Sequence, residues 1–137
     1  MTQYRISEAA ALLGVSDDTV RRWSASGDLP VTTDASGRQA VEGTDLAAYA
    51  ERIAAPAVDP LEGVTSARNR FVGLVTKIVT GPVVCQVELQ CGPHRVVSVI
   101  TTQSCHDLGL EVGSVAVAAV KSTAVVVQVP EGVRPVR

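Results

Sequence analysis

The spacing of hydrophobic residues changes near the middle of the chain. Up to residue 53 they recur at helical spacing, whereas after about Phe71 they form short valine-rich runs broken by glycine. Between the two lies the segment 54–63, whose two prolines and one glycine are typical of a linker. The pattern predicts an α+β chain with a mainly helical domain over residues 1–54, a linker over 55–64 and a β-rich domain over 65–130.

Two short helices are predicted at the start of the first domain. Ser7 is expected to cap a helix that ends near Leu13, and Ser16 to cap a second helix that ends near Ser26. Gly14 lies between them, where the chain has to bend sharply. This arrangement is that of a helix-turn-helix.

The rest of the first domain is expected to support these two helices. The segment 29–41 contains Pro30 and Ser36-Gly37, which suits an extended hairpin, or wing. A third helix is predicted to begin after the capping residue Thr44. The expected fold of this domain is therefore a winged helix-turn-helix.

The second helix has one apolar and one polar face. Val20 and Trp23 lie three residues apart, so they share a face and are predicted to form a small core with Leu12. The opposite face carries arginine, which can bond the edge of a guanine or a phosphate. We expect contacts with DNA from that face, from its edges and from the tip of the wing, at Ser16, Asp18, Thr19, Arg21, Arg22 and Arg38.

The overall charge does not by itself favour nucleic acid as a partner. The chain has a formal net charge of −2, and residues 1–53 carry five basic against eight acidic side chains, a net charge of −3. Binding to DNA would therefore depend on the placement of a few arginines and on more than one copy of the chain.

Several short motifs occur together in the first domain. They are Ser7-Glu8-Ala9-Ala10, Gly14-Val15-Ser16, Thr19-Val20-Arg21-Arg22-Trp23 and Gly27-Asp28-Leu29-Pro30. With these motifs, residues 4–53 resemble the helix-turn-helix start of the MerR and excisionase families. The resemblance implies that the second helix reads DNA and that the wing supports it. In this chain Gln39-Ala40 follow Arg38, where a second arginine and an aromatic residue are common in those families.

The second domain is predicted to consist of short strands. Gly81-Pro82 and Cys91-Gly92-Pro93 are turn signals, and residues 103–108 are expected to form one helical turn. The strands are expected near residues 70–79, 83–90, 95–101, 114–120 and 124–129. Five short strands with one small helix favour an OB-like β-barrel.

Hydrogen-bond donors cluster at the predicted strand ends and turns of this domain. A fully deprotonated tetrahedral oxyanion only accepts hydrogen bonds, so its site needs N–H, hydroxyl and cationic groups. Residues 101–104 precede the predicted helical turn, whose free N–H groups would offer a nest for an anion. Lys121 is predicted to lie inside an apolar strand pair, where it needs a partner because burying an unpaired charge is costly.

Four stretches of this domain point to one family. They are SARNRF, FVGLVTKIVTGPVVCQVEL, VVSVITTQSCHDLGLEVG and VAVAAVKSTAVVV. With them, residues 65–130 resemble a Mop domain of the molbindin, or TOBE, type, which binds molybdate and tungstate at interfaces between subunits. The resemblance implies that an element around Ser66 and Arg68 of one subunit meets elements around Thr101 and Lys121 of a neighbour. The residues expected to bind molybdate are Ser66, Arg68, Asn69, Thr101, Ser104, Lys121 and Ser122.

The two resemblances together imply a regulator. We expect a cytoplasmic homo-oligomer, a dimer or a higher assembly such as a hexamer, that binds double-stranded DNA and regulates transcription in response to molybdate or tungstate. Two alternatives remain open. One is a molybdate or tungstate storage protein whose helix-turn-helix does not read DNA. The other is a constitutive DNA-binding protein whose barrel serves only for oligomerisation.

Other classes of function are not expected. The chain begins without a signal-peptide pattern, and its most apolar stretch, 115–129, is interrupted by Lys121-Ser122-Thr123, so no membrane span is predicted. The three cysteines form no CxxC pair, which argues against a disulfide framework or a zinc site. The sequence has no recognisable nucleophile–base pair or paired carboxylates, and we predict neither catalysis nor a bound metal.

Overall fold

The computed structural model describes residues 2–61 and 63–130 of the chain. It divides into two compact units, Met1–Ala55 and Pro56–Arg137. Helices and sheet are both present, so the α+β class is confirmed. No helix within the described residues is long and apolar enough to cross a membrane.

The first unit combines short helices with a small antiparallel sheet. Its elements, over residues 2–55, are β1 (Gln3–Arg5), α1 (Ile6–Leu13), α2 (Asp17–Ala25), β2 (Thr32–Thr33), β3 (Gln39–Glu42) and α3 (Gly43–Ile53). The strands pair in the order β1-β3-β2, with Tyr4 opposite Val41. The predicted wing is confirmed as the β2–β3 hairpin, and β1 is a strand that the sequence pattern did not predict.

The first helix begins earlier than predicted. Arg5 is its N-cap residue, and the backbone N–H of Arg5 donates to Glu8 Oε1 over 3.4 Å. Ser7 therefore lies inside the first turn, and the predicted cap at Ser7 is wrong. The reason is that β1 runs straight into α1, so the extended residue before the helix is Arg5. Gly14 ends the helix with φ of 68°, a left-handed conformation that favours glycine.

The other two helices show one correct and one incorrect cap. Ser16 caps α2 as predicted, since its side chain accepts from the backbone N–H of Thr19 over 3.2 Å. α3 begins at Gly43, although its start was predicted after Thr44. The backbone N–H of Gly43 donates to the carbonyl of Thr2 over 2.8 Å, so pairing with the start of the chain fixes where the helix begins.

The core of the first unit lies between the three helices and the sheet. Its buried residues are Ile6, Ala9, Ala10, Val20, Leu29, Val41, Leu46 and Tyr49. Trp23 packs against this core, with its ring centroid 4.8 Å from that of Tyr49. The prediction that Leu12 joins this core is wrong, because Leu12 is 63% exposed. The alanines and Leu13 form the inward face of α1, and Leu12 points away from it.

The second unit is built on an antiparallel sheet. Its elements over the described residues are β4 (Asn69–Thr80), β5 (Val84–Cys91), β6 (His94–Thr101), α4 (Thr102–Asp107), β7 (Val115–Val120) and a 3₁₀ turn (Ser122–Ala124). The sheet order is β6-β5-β4-β7. Buried residues on one face of β4 and along β5 form the core: Val75, Cys85, Val87, Leu89 and Cys91.

The long strand β4 pairs with two different strands along its length. Its first half pairs with β7 and its second half with β5, and Leu74 is opposite residues of both. A bulge between Val75 and Lys77 follows directly. At Gly73 any Cβ would collide with the carbonyl oxygen of Gln90 on the neighbouring strand, so only glycine fits at this position. The bulge and this glycine let the sheet curl.

The predicted fifth strand is wrong for this chain taken alone. Residues 125–130 form no strand, and Val126 and Val127 are 83% and 84% exposed. Within the described residues the curled sheet keeps β6 and β7 as its edges, because the apolar run after the 3₁₀ turn has no strand beside it. Lys121 follows the end of β7 and is exposed, so its predicted position inside a strand pair is also wrong.

The segment that leads into β4 is attached to it. Residues 54–61 and 63–68 contain no helix or strand. Arg70 of β4 donates through Nε to Asp59 Oδ2 over 2.6 Å and through Nη2 to Asp59 Oδ1 over 3.3 Å. Arg70 Nη2 also donates to the carbonyl of Leu61 over 3.3 Å. The hydrogen bonds from Arg70 lower the pKa of Asp59, and they hold this part of the predicted linker against the second unit.

Candidate DNA-binding surface and oxyanion site

The polar face of α2 carries accessible charges. The side chain of Asp18 is 93% exposed, and that of Arg21 is 57% exposed. Arg21 Nη1 lies 3.5 Å from Asp18 Oδ1, one turn earlier in the helix. A pair that is this exposed contributes little to stability. The guanidinium of Arg21 can therefore leave Asp18 for a stronger acceptor.

Ser16 and Thr19 have local structural roles at the start of α2. The Oγ of Ser16 caps the helix and lies 2.9 Å from Thr19 Oγ1. Arg22 Nη2 donates to Thr19 Oγ1 over 3.3 Å. These contacts fix the two hydroxyls at the N-terminal edge of the helix and hold Arg22 alongside them.

The tip of the wing is organised by Asp34, a residue that the sequence reasoning did not select. Its Oδ1 accepts from the backbone N–H of Ser36 over 2.8 Å and from that of Arg38 over 2.9 Å. Its Oδ2 lies 3.7 Å from Arg38 Nε. The bond from the backbone of Arg38 is the main cause of the lowered pKa of Asp34. The pattern Asp-x-Ser-Gly is the sequence signal for such a turn, and the turn places Arg38 at the exposed end of the hairpin.

Two of the predicted oxyanion-binding residues lie together where β6 meets α4. Thr101 Oγ1 accepts from the backbone N–H of Ser104 over 3.0 Å and donates to Ser104 Oγ over 2.7 Å. The hydroxyl hydrogen of Ser104 is left to donate outwards. The predicted nest of free N–H groups is wrong at two positions, because the N–H of Ser104 is used by Thr101 and that of Thr102 donates to the carbonyl of Val83. Side-chain donors remain.

The other predicted oxyanion-binding residues lie where β4 begins and β7 ends. Asn69 is opposite Val120 in the sheet, and Asn69 Nδ2 donates to the carbonyl of Val120 over 3.2 Å. Ser66 and Arg68 directly precede β4, whereas Lys121 and Ser122 directly follow β7, and all four are exposed. The structure thus brings Ser66, Arg68, Asn69, Lys121 and Ser122 to one end of the sheet.

The two groups occupy opposite ends of β4. Thr101 pairs with Val84 at the start of β5, next to the end of β4, while Asn69 is the first residue of β4. β4 has 12 residues. Since a strand rises about 3.3 Å per residue, even a curled strand of this length separates its ends by far more than the width of one tetrahedral oxyanion. One copy of the chain therefore does not bring both groups to the same ion.

A second ion pair in this unit stabilises the sheet. Glu88 is 8% exposed and is paired with Arg95 on the neighbouring strand β6. Hydrogen bonds from Arg95 lower the pKa of Glu88. This pair lies among residues of the strands, away from the predicted oxyanion-binding positions. Together with the side-chain amide of Gln86, it gives hydrogen-bond partners to a nearly buried carboxylate.

Two family models match the chain. One, described as a helix-turn-helix domain, covers residues 4–54, and the other, described as a TOBE domain, covers residues 65–127. The first part of the chain therefore matches a helix-turn-helix domain, and the second part matches a TOBE domain. Both resemblances seen in the sequence are confirmed.

One curated relative is similar in sequence to part of this chain. The chain is 46% identical over 63 residues to the molybdenum transport protein ModE of Herbaspirillum seropedicae. The match covers 45% of this chain and 23% of that protein, so the chain spans less than a quarter of the relative's length.

Three solved structures are similar in sequence to part of this chain. MopII from Clostridium pasteurianum is 34% identical with a TM-score of 0.46, covering 48% of this chain and 100% of that one. A molybdate-binding protein from Sporomusa ovata is 32% identical with a TM-score of 0.47, covering 48% and 98%. The cytoplasmic molybdate-binding protein ModG, with molybdate bound, is 34% identical with a TM-score of 0.43, covering 44% and 43%.

Proposed function

We propose that this protein is a transcription regulator that binds DNA and responds to molybdate or tungstate. The observation that carries the proposal is the joining of a helix-turn-helix domain to a TOBE domain in a chain that is 46% identical over 63 residues to ModE. The first domain would read DNA through Ser16, Asp18, Thr19, Arg21, Arg22 and Arg38. The second would bind the oxyanion, and neither domain would carry out catalysis.

The chemistry of the proposed oxyanion site suits a dianion. Its members are Ser66, Arg68, Asn69, Thr101, Ser104, Lys121 and Ser122, which supply hydroxyl, amide and cationic donors. A donor-only site suits molybdate and tungstate, which carry no proton near neutral pH. Phosphate largely carries a proton under the same conditions, and that proton would have no acceptor in such a site.

We further propose that two copies of the chain share each site. The separation of the two donor groups along β4 supports this, since one copy would offer only one group to an ion. The resemblance implied that Lys121 and Ser122 come from the same copy as Thr101 and Ser104. Because Lys121 and Ser122 lie at the Asn69 end of their own chain, we assign them instead to that group, and Thr101 with Ser104 to the other. An ion bound between copies would stabilise the assembly by mass action.

Coupling between the two domains would follow from this assembly. We propose a first domain over 1–54, a linker over 55–64 and a second domain over 65–130. The hydrogen bond between Asp59 and Arg70 attaches part of the linker to the second domain, so fewer residues are free to act as a spacer. A short linker would transmit a change in the arrangement of TOBE domains to the spacing of helix-turn-helix pairs, and hence to the half-sites that they fit. A protein that acts on transcription in this way would work in the cytoplasm.

Fluorescence polarisation of a labelled promoter fragment, titrated with the full chain with and without molybdate, tests the proposal. We expect binding whose affinity changes with molybdate. The alternative of a storage protein is favoured by the net charge of −3 of residues 1–53. Molybdate binding without any DNA binding under either condition would establish that alternative and refute the regulator.

Isothermal titration separates the remaining alternative. We expect heat of binding with molybdate and tungstate and none with phosphate at the same concentration, because the proton of phosphate would have no acceptor. Sulfate, which carries no proton, tests whether the site also selects by size. A chain that binds DNA and gives no heat with any of the four anions would be a constitutive DNA-binding protein whose second domain only assembles it.

A further inference from the structure

A cleft in the first unit brings together three arginines that are far apart in the sequence. It has a volume of about 310 Å³ and is lined by Arg5 from the end of β1, Arg21 from α2 and Arg38 from the tip of the wing. Ser7 and Gln39 add polar groups to the lining. We call it the arginine cleft. The charged residues that line it are the three arginines and one acid, Asp17, so the lining carries a net charge of +2.

Each of these arginines is only loosely paired. Their side chains are more than half exposed, and the nearest acidic groups come from neighbouring turns at long distances. The pairs are Arg5 Nε to Glu8 Oε1 at 3.9 Å, Arg21 Nη1 to Asp18 Oδ1 at 3.5 Å, and Arg38 Nε to Asp34 Oδ2 at 3.7 Å. Exposed pairs of this kind contribute little. The guanidinium groups are therefore available to a stronger anionic ligand.

A second observation places Arg5 beside the wing. The backbone hydrogen bond from Arg38 is the main cause of the lowered pKa of Asp34, and the charges of Arg38 and Arg5 add to it. Arg5 is opposite Ala40 in the sheet, and Arg38 lies two residues before Ala40, directly ahead of β3. Two arginines from different elements thus face the same side of the wing, next to the helix that carries Arg21.

We propose that the arginine cleft holds one phosphate of the DNA backbone, and that Arg5 is a DNA-binding residue alongside Arg21 and Arg38. The inference rests on the proposed DNA-binding function and names where a phosphate is held. A backbone phosphate is a tetrahedral anion that accepts hydrogen bonds, and arginine can bind it with two parallel donors. Such a contact fixes the register of the helix on the duplex.

The proposal accounts for DNA binding by an acidic domain. Residues 1–53 carry a net charge of −3, yet the cleft beside α2 carries +2. Attraction at the length scale of one phosphate depends on the nearest charges, because charges farther away than about 10 Å are screened at ordinary salt concentrations. Glu8, Asp18 and Asp34 lie within that range, 3.9, 3.5 and 3.7 Å from the three arginines, so a phosphate bound in the cleft has to displace these carboxylates from the exposed guanidinium groups.

The test uses the full chain and a labelled DNA duplex in fluorescence polarisation, over salt concentrations from about 50 to about 200 mM. We expect Arg5→Gln to weaken binding and to make the plot of log affinity against log salt less steep by up to about 0.9, the value for one phosphate contact. Arg5→Lys, which keeps the charge, should retain most of the slope. Lys77→Gln on β4 removes one exposed charge far along the sequence and should leave the slope unchanged.

A double variant distinguishes one shared phosphate from separate ones. If Arg5 and Arg38 hold the same phosphate, Arg5→Gln with Arg38→Gln should lose less affinity than the product of the two single losses, because the first change already weakens the shared contact. Losses that multiply would show two independent contacts and overturn the shared cleft. Circular dichroism of each variant establishes that the helices are retained.

A free oxyanion is the other source of the same chemistry. If the cleft takes molybdate or inorganic phosphate instead of DNA, Arg5→Gln will remove one equivalent of that anion in isothermal titration and leave DNA binding unchanged, which overturns the proposal. We expect an unchanged molybdate stoichiometry. Wild-type chain that binds no DNA refutes the proposed function together with the cleft, whereas wild-type binding that Arg5→Gln does not alter refutes the cleft alone.

Discussion

Two inactive variants of this protein should restore oxyanion sites when they assemble together. The structure places Arg68 and Ser104 with donor groups at opposite ends of β4, so we expect them to reach one ion only from two different copies of the chain. The perturbations are Arg68→Ala in one copy and Ser104→Ala in the other. Removing a hydrogen bond to a charged group costs about 1.5–3 kcal/mol, which corresponds to about 10- to 150-fold weaker molybdate binding for Arg68→Ala.

The recovery expected from mixing follows from how the site is shared. In an equal and random mixture, half of the copies supply an intact Arg68 and half of the neighbouring copies supply an intact Ser104. If each site takes one donor group from each of two copies, about a quarter of all sites in the mixture contain both residues. This fraction is the same for a dimer and for a larger ring. If both residues came from the same copy, no site would be intact.

The assay is isothermal titration of the co-assembled variants, which carry different affinity tags so that mixed oligomers are isolated by two successive purification steps. Because the purification removes unmixed oligomers, we expect a tight-binding fraction of about a half of the wild-type stoichiometry for a dimer and about a quarter for a large ring. Mixing Thr101→Ala with Ser104→Ala is the matched control, because both residues belong to one group and no intact site can form. Mixed oligomers of Arg68→Ala and Ser104→Ala with no tight sites would refute the assignment of the two groups to different copies.

Three further predictions test the fold beneath the sites. Leu29 is 1% exposed, so Leu29→Ala should lower the free energy of unfolding of the first unit by about 2–5 kcal/mol, measured by chemical denaturation. The exposed Leu12 is the control, and Leu12→Ala should change this free energy little. Equal effects of the two substitutions would contradict the core described above. Gly73→Ala should abolish molybdate binding, because the added Cβ collides with the facing strand. The helical signal of the first unit should persist in circular dichroism. A variant with normal affinity for molybdate would show that the strands can move apart. The lowered pKa of Asp34 means that its carboxylate stabilises the folded state above the ordinary aspartate pKa, and that this contribution is lost as the pH falls through the lowered value. Asp34→Asn should therefore flatten the loss of stability in acid, measured by denaturation at a series of pH values, and an unchanged pH profile would count against the role of Asp34 at the wing.

Local patterns were sufficient wherever an element depends on its own residues. Ser16 caps α2 because its side chain bonds to a backbone N–H three residues ahead, which needs no other part of the chain. Gly14 was identifiable as the end of α1 for the same reason. The predicted caps at Ser7 and Thr44 were wrong because β1 and the carbonyl of Thr2 set those helix starts from a distance.

The candidate sites divide in the same way. The polar face of α2 was predictable from helical spacing, and the donors of the second domain from their resemblance to a known family. The arginine cleft was not, since Arg5 meets Arg38 only through the pairing of β1 with β3. Asp34 carried a turn signal in Asp-x-Ser-Gly, but its contact with the charges of two arginines required the folded wing.

The sequence by itself determined that a helix-turn-helix precedes a β-rich domain, because helix caps, turn glycines and valine-rich runs act over a few residues. The resemblance of the second domain to the TOBE family was also readable from the sequence. Only the tertiary structure decided how the functional groups are distributed. Antiparallel pairing sends Asn69 and Thr101 to opposite ends of the sheet and leaves the valines after the 3₁₀ turn without a partner strand. These relations depend on strand order and register, which arise from contacts between residues far apart in the chain.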